Sequence, residues 1–206
     1  MVAQDLISRE ISPLRTEQTG KDAIALFNDF HVRHLPVIEA GRLIGLVSEE
    51  DIFNHKLEDT VGSFALSPRQ VTALATDHIF DVIRVMGENR LTVIPVVDME
   101  GNYLGLVSQT DLMRFFAETT AFAEPGSVLV LEMHKRDYSL AIISRIVESE
   151  DAAILSAVIT SKLDSPLIEL TLKINQPETG RITAALEPFR SDVLMLDAEF
   201  TVEMEP

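Results

Sequence analysis

The sequence predicts a mixed α/β (α+β) protein in two parts: a tandem pair of repeats, each with a helix, a β-hairpin and a second helix, about residues 1–60 and 61–122, then a β-α-β-β-α-β unit over 126–206. Three observations carry this. The stretch His34-Leu35-Pro36-Val37-Ile38 through Gly45-Leu46-Val47-Ser48 to Asp51 recurs as Val93-Ile94-Pro95-Val96-Val97 through Gly105-Leu106-Val107-Ser108 to Asp111. The offset is 59 residues between the prolines and 60 between the aspartates, one residue having been added near the turn at Gly101. A fixed internal period marks repeated supersecondary units. An amphipathic segment precedes each copy, and residues 167–174 alternate apolar and polar, as a sheet covered on one face requires.

The elements of the repeat follow in order. Thr19-Gly20-Lys21-Asp22 offers a helix N-cap with an acid three residues on, and Ala23, Leu26, Phe27 and Phe30 follow at helical spacing. Before the second copy, Ile79, Val82, Ile83 and Met86 keep the same period. Pro36 and Pro95 stand at the start of short β-rich runs, where a missing N–H is tolerated. A glycine turn leads to a second run, Leu43 to Val47 or Tyr103 to Val107, so each copy holds a β-hairpin. Gly45 and Gly105 interrupt that second strand; they mark a bulge, a close approach by another backbone or a ligand, or close packing against a helix.

Composition changes at Ala121-Phe122-Ala123-Glu124-Pro125-Gly126, where Pro-Gly punctuation sets the expected domain boundary. Beyond it, Val128 to Met133 reads as a strand and Tyr138 to Glu148 as a helix with Leu140, Ile143, Ile146 and Val147 in one stripe. Ala153 to Thr160 and Leu167 to Ile174 read as strands, Pro177 to Phe189 as a second helix and Val193 to Val202 as a last strand. That order is the ferredoxin-like arrangement.

The chain has 206 residues, a formal net charge of −16 and no cysteine. Both halves are acidic, which argues against nucleic-acid binding through phosphate neutralisation. Without cysteine there is no disulfide framework, thiolate nucleophile or thiolate metal site. No signal-like leader or run of about 18 apolar residues occurs, so a cytoplasmic protein with no membrane role is expected. His31 and His34 stand at i, i+3, yet the helix should end before His34, so a metal site is not expected; His55, His78 and His134 read as isolated.

Ser48-Glu49-Glu50-Asp51 and Ser108-Gln109-Thr110-Asp111 close each copy and open a helix. Helix capping explains them: the serine accepts from an orphan N–H and the acid completes a capping box. A helix N-terminus with a hydroxyl is also a phosphate seat, and a carboxylate one turn on can accept both hydroxyls of a ribose. The order helix, Leu/Ile-Pro-Val-hydrophobic, Gly turn, Gly-Leu-Val-Ser-x-x-Asp, helix, twice in tandem over about residues 1–122, resembles a pair of cystathionine-β-synthase-like (CBS) domains forming a Bateman module. The resemblance implies a β-α-β-β-α fold for each repeat and regulation by an adenosyl ligand such as AMP, ADP, ATP or S-adenosylmethionine, held in clefts between the repeats. It places Asp51 and Asp111 on ribose hydroxyls, Ser48 and Ser108 at phosphate, and Arg33-His34 or Thr92-Val93 where basic residues often meet phosphate. The copies differ there, so the cleft lined by Arg33 and His34 is expected to favour a phosphorylated nucleoside.

The last eighty residues resemble an ACT domain, a small-molecule sensor. Tyr138-Ser139 and Glu150-Asp151-Ala152-Ala153 stand where that family commonly has glycine, which argues against amino-acid binding there. The sequence holds no P-loop, Gly-x-Gly-x-x-Gly, Gly-x-Ser-x-Gly or His-Glu-x-x-His, and no enzyme is expected. The leading expectation is a non-catalytic sensor that needs no cofactor, relays ligand binding to its C-terminal domain or a protein partner, and forms a homodimer or higher homo-oligomer. The alternatives are an amino-acid sensor acting through the ACT-like domain and an oligomerisation scaffold with empty clefts.

Overall fold

The computed structural model describes residues 1–8, 10–64, 66, 71–161, 163–189 and 198–199. The chain divides into two compact units, Met1–Phe116 and Ala117–Pro206.

In the first unit, β1 (Leu14–Arg15), α1 (Gly20–Phe30), β2 (His34–Glu39), β3 (Arg42–Ser48) and α2 (Glu49–Phe53) make one repeat. The second comprises β4 (Ala73–Leu74), α3 (Ile79–Glu88), β5 (Val93–Val97), β6 (Tyr103–Ser108) and α4 (Gln109–Glu118), whose end runs on into the second unit. Each repeat forms a three-stranded sheet whose central strand is parallel to the short first strand and antiparallel to the third. α1 begins at Thr19, whose hydroxyl accepts from the Asp22 N–H while the Asp22 carboxylate accepts from the Thr19 N–H at 2.8 Å. It ends at His31, a left-handed C-cap with φ 53°. Ala23 and Phe27 on α1, and Ile79, Val82 and Met86 on α3, are buried in one shared core with both sheets.

The two interrupting glycines mark bulges. Val37 faces Gly45 but Ile38 faces Leu43, leaving Ile44 as the extra residue; Val96 and Val97 face Gly105 and Tyr103, leaving Leu104. Gly105 also has a close neighbour, because a Cβ there would run into Ile7 Cγ2.

Ile7 belongs to a leading segment that packs on the other repeat. The Ala3 N–H donates to the Asp77 carbonyl (2.9 Å), Gln4 to Ala75 (3.1 Å) and Ser8 to Leu106 (2.8 Å). The segment after the first repeat makes the reverse crossing, Val61 N–H to the Gln18 carbonyl (2.8 Å) and Gly62 to Thr16 (3.0 Å). Equivalent residues also meet at the hairpin turns: Arg42 bridges to Asn102, and the Tyr103 N–H donates to the Gly41 carbonyl at 3.0 Å. Contacts between equivalent positions relate the repeats by an approximate two-fold axis.

In the second unit, α5 (Thr120–Ala123) leads to β7 (Ser127–His134), α6 (Leu140–Ser149), β8 (Ile154–Thr160), β9 (Leu167–Ile174), α7 (Gly180–Leu186) and β10 (Ala198–Glu199). The sheet is antiparallel in the order β10-β7-β9-β8. Leu129, Leu131 and Met133 of β7 and Ile168, Leu170, Leu172 and Ile174 of β9 are buried with Ile143, Val147, Ile182 and Leu186 of the helices. α7 begins three residues later than the helical pattern suggests. Residues 175–177 are committed elsewhere: Asn175 Oδ1 accepts from the Ala153 N–H (2.8 Å), Gln176 Nε2 donates to the Asp151 carbonyl (2.8 Å), and the Pro177 carbonyl accepts from Ser127 Oγ (2.9 Å). α6 starts at Leu140 because residues 135–137 form a 3-10 turn tied to Pro166. The expected strand Val193 to Val202 lies outside the described residues except for Ala198 and Glu199.

Gly126, at φ 151°, stands where a Cβ would collide with the Ile174 carbonyl oxygen, a backbone atom that cannot swing away. Gly126→Ala is therefore expected to destabilise the second unit by about 2–3 kcal/mol, read as a lower urea midpoint. Gly180→Ala, at a position with open space, should be neutral or slightly stabilising in the same assay.

Candidate ligand site at the junction of the repeats

The seven residues singled out in the sequence gather at the open ends of the two hairpins. His34 lies opposite Ser48, and Val93 opposite Ser108, in the last pairs of their ladders. Each following helix is tied back to the residue before the hairpin: the Glu49 N–H donates to the Arg33 carbonyl (3.1 Å) and Gln109 to Thr92 (3.0 Å).

The two halves join at Thr92. Its hydroxyl accepts from the Arg33 N–H at 2.9 Å, and its own N–H donates to His34 Nδ1 at 3.3 Å. The hydroxyl lies 3.1 Å from the same ring nitrogen. A nitrogen that accepts an amide hydrogen carries no proton, so the Thr92 hydroxyl donates to it and the ring proton sits on Nε2. Burial holds the His34 pKa below the ordinary histidine value, and the Arg33 guanidinium acts in the same direction; Asp51 and Glu49 oppose them. The neutral ring is the form that this hydrogen-bond pattern needs.

Ser48 and Asp51 form a reciprocal box. The Ser48 N–H and hydroxyl both donate to Asp51 Oδ2 at 2.7 Å, and the Asp51 N–H donates to Ser48 Oγ at 3.2 Å. Ser108 and Asp111 repeat it, again through Oδ2. Thr19 and Asp22 make the same box outside this region, so capping alone accounts for the pattern. The box uses one carboxylate oxygen. Asp51 Oδ1 makes no hydrogen bond or ion pair among the described residues, and Asp111 Oδ1 lies 3.6 Å from Arg114 Nη1. Ser108 is buried.

Arg33 projects outward. Its side chain is 74% exposed and Nε meets Glu49 Oε2 at 3.1 Å, a surface ion pair of the kind that contributes about 0–1 kcal/mol. His31 caps α1 and His34 begins β2, so the two share no helix face, and no group of three or more His, Asp or Glu is placed to hold a metal among the described residues. His55 and His78 each have a structural role: the His55 ring stacks on Phe64 (4.0 Å) and Nδ1 donates to the Asp51 carbonyl (2.7 Å), while His78 Nδ1 accepts from the Phe80 N–H (3.3 Å).

One feature of the first unit gave no signal in the repeat. A polar cavity of about 480 Å³ lies between the leading segment and β6, bounded by Asp5, Ile7, Ser8, Pro13, Tyr103 and Gly105 among others. None of the seven residues lines it. Burial raises the Tyr103 pKa well above the ordinary tyrosine value, so its hydroxyl stays protonated. This wall comes from the exchanged segment, which carries no recurrent motif.

The profile of the CBS domain matches residues 2–58 and 61–118, more than half of the chain. The chain belongs to the CBS-domain family. An uncharacterized protein of Methanocaldococcus jannaschii is 30% identical over 117 residues, which are 56% of this chain and 44% of that protein, so the matched stretch spans less than half of the relative. An inosine-5'-monophosphate dehydrogenase of Thermoplasma acidophilum is 24% identical over 110 residues, 53% of this chain and 22% of that enzyme. Among solved structures, a CBS domain pair/ACT domain protein of Thermotoga maritima superposes with TM-score 0.52 at 20% identity, covering 57% of this chain and 98% of that one. The CBS domains of a Streptococcus pneumoniae transcriptional regulator give 0.50 at 23% identity, covering 55% and 98%. These likenesses concern the fold of the tandem CBS pair. No helix among the described residues is long and apolar enough to cross a membrane.

The neutral His34 has a consequence for stability. The unfolded chain takes up the histidine proton near pH 6.5, the folded chain only at lower pH, so acidification below about 6.5 favours unfolding. Urea unfolding at pH 7.5 and 5.5 should show the parent losing more stability than His34→Gln. An equal loss in both proteins would remove His34 from the account.

Proposed function

We propose that the CBS pair is a non-catalytic sensor of an adenosyl ligand, AMP, ADP, ATP or S-adenosylmethionine, held where the open ends of the hairpins meet. The observation that carries this reading is the convergence of Arg33, His34, Ser48, Asp51, Thr92, Ser108 and Asp111 on one end of both hairpins, linked through Thr92. Asp51 and Asp111, each with a carboxylate oxygen outside its capping box, accept ribose hydroxyls; Ser48, Ser108 and the helix N–H groups face phosphate. Arg33, bound to Glu49 only through Nε, has terminal nitrogens to offer an anion.

The second unit, proposed as an ACT-like domain over 126–206, receives the signal or passes it to a protein partner. A cytoplasmic homodimer fits the apolar positions that the repeat leaves uncovered: Phe53 and Met113, sixty residues apart at equivalent places on α2 and α4, are 79% and 70% exposed. A scaffold with empty clefts is the second reading, favoured by the fact that the Ser-x-x-Asp box also occurs at Thr19 and Asp22 purely as a cap.

Thermal unfolding against AMP, ADP, ATP, S-adenosylmethionine and a set of amino acids tests the proposal. An adenosyl ligand at about a hundred times its Kd should stabilise the first unit by about 2.7 kcal/mol. The ligand-induced shift, compared within each variant so that the lost cap cancels, should vanish in Asp51→Ala or Asp111→Ala and persist in Tyr103→Phe. Loss only in Tyr103→Phe would move the ligand to the cavity beside the leading segment. A response to amino acids alone would move sensing to the second unit, and no response would leave the scaffold.

A further inference from the structure

At the open end of the hairpins one ring nitrogen holds two chain segments of different repeats. His34 Nδ1 accepts from the Thr92 N–H at 3.3 Å and lies 3.1 Å from the Thr92 hydroxyl, which accepts from the Arg33 N–H at 2.9 Å. Both segments are one bond from a helix start: the Arg33 carbonyl accepts from the Glu49 N–H and the Thr92 carbonyl from the Gln109 N–H. The tie therefore joins the backbone before β2 to the backbone before β5 and reaches the first residues of α2 and α4. At the turn end the ties run to carbonyls, Tyr103 N–H to Gly41 and Arg42 Nη2 to Glu100. Carbonyls do not take up a proton near neutral pH, whereas an imidazole does.

We propose that His34 is a proton-operated latch between the repeats: uptake of a proton at Nδ1 releases the Thr92 backbone while the turn-end ties and both sheets stay in place. A protonated ring is a donor at both nitrogens. The Thr92 hydroxyl can rotate and accept from the new N–H, but the Thr92 N–H belongs to the backbone, cannot turn with it, and is left facing a donor. An N–H that has lost its acceptor is satisfied by moving to water, which draws Thr92 away from Arg33 and His34. Burial does most to keep the ring neutral in the closed arrangement, and the Arg33 guanidinium adds to it, while the Asp51 and Glu49 carboxylates at the start of α2 draw the proton in. From the second repeat the ring meets Thr92, which does not titrate. The released ring takes up its proton near pH 6.5 and the latched ring only at lower pH, so acidification between those values favours release. The latch responds to the proton alone and stands apart from the adenosyl reading.

Amide hydrogen exchange of the full-length chain without ligand, followed residue by residue by NMR from high to low pH, reads the latch directly. The Tyr103 amide is the internal reference, because it is tied to the other repeat at the turn end. Protection of Thr92 relative to Tyr103 should stay level above about pH 6.5 and fall by up to about tenfold per pH unit below it, in step with the titration of the His34 ring signals. In His34→Gln, whose side-chain oxygen accepts from the Thr92 N–H and takes up no proton, the ratio should stay level throughout. A ratio in the parent that ignores the His34 titration, or the same fall in His34→Gln, would overturn the proposal. So would an equal loss of protection at Thr92 and Tyr103, since that is unfolding of the whole unit and not release of one tie. Where the variant does not fold, the parent's ratio against its own His34 titration decides.

Discussion

β5 is Val93-Ile94-Pro95-Val96-Val97, and all five of its side chains are buried. A strand that is apolar on both faces cannot be closed by the helices of its own repeat, which lie on one side of a three-stranded sheet. A second layer must cover the other face, and the chain supplies it as a second copy of the same unit. β2, with Leu35, Pro36 and Val37 buried, imposes the same condition from the other side. The repeat is thus a folding requirement before it is anything else: a single repeat would leave its central strand half covered. The exchanged segments reinforce this, because residues 1–8 and 60–64 each complete the repeat to which they do not belong in sequence.

Packing two hairpins about an approximate two-fold axis doubles whatever stands at their open ends. The capping boxes are doubled faithfully, whereas the residues before the hairpins are not. Arg33-His34 faces Thr92-Val93, and this departure from symmetry lets a hydroxyl and a neutral imidazole meet. The polar link is therefore a product of divergence between the copies, and it holds the His34 ring in its neutral form.

The period of the sequence made much of the first unit legible. A β-hairpin that recurs at 59–60 residues identifies itself, and Thr19/Asp22, Ser48/Asp51 and Ser108/Asp111 announce helix starts because a capping box is a local device. The Leu167–Ile174 alternation fixed the inward face of β9 for the same reason. What escaped the sequence was non-local. The His34–Thr92 contact joins residues 58 apart through positions where the copies differ, so no repeat points to it. The leading segment lacks a motif, and its partner Gly105 could be read equally as a bulge or a close approach; it is both. α7 starts late because Asn175, Gln176 and Pro177 bond to neighbouring elements, a competition that helical periodicity does not register.

The repeats are held together differently at the two ends of their hairpins. At the turn end the tie uses backbone carbonyls: the Tyr103 N–H to Gly41 at 3.0 Å and Arg42 Nη2 to Glu100 at 2.6 Å. At the open end it runs through side chains that titrate or rotate, His34 and Thr92. In the proposed sensor, a ligand at the open end would meet the side-chain tie and not the backbone bonds of the turn end. To shift the arrangement it must bind one geometry of the open end more tightly than another, and the size of the shift is limited by that difference in affinity. A change at the open end therefore reaches the other repeat through His34 and Thr92, while the turn end stays tied through the Gly41 and Glu100 carbonyls.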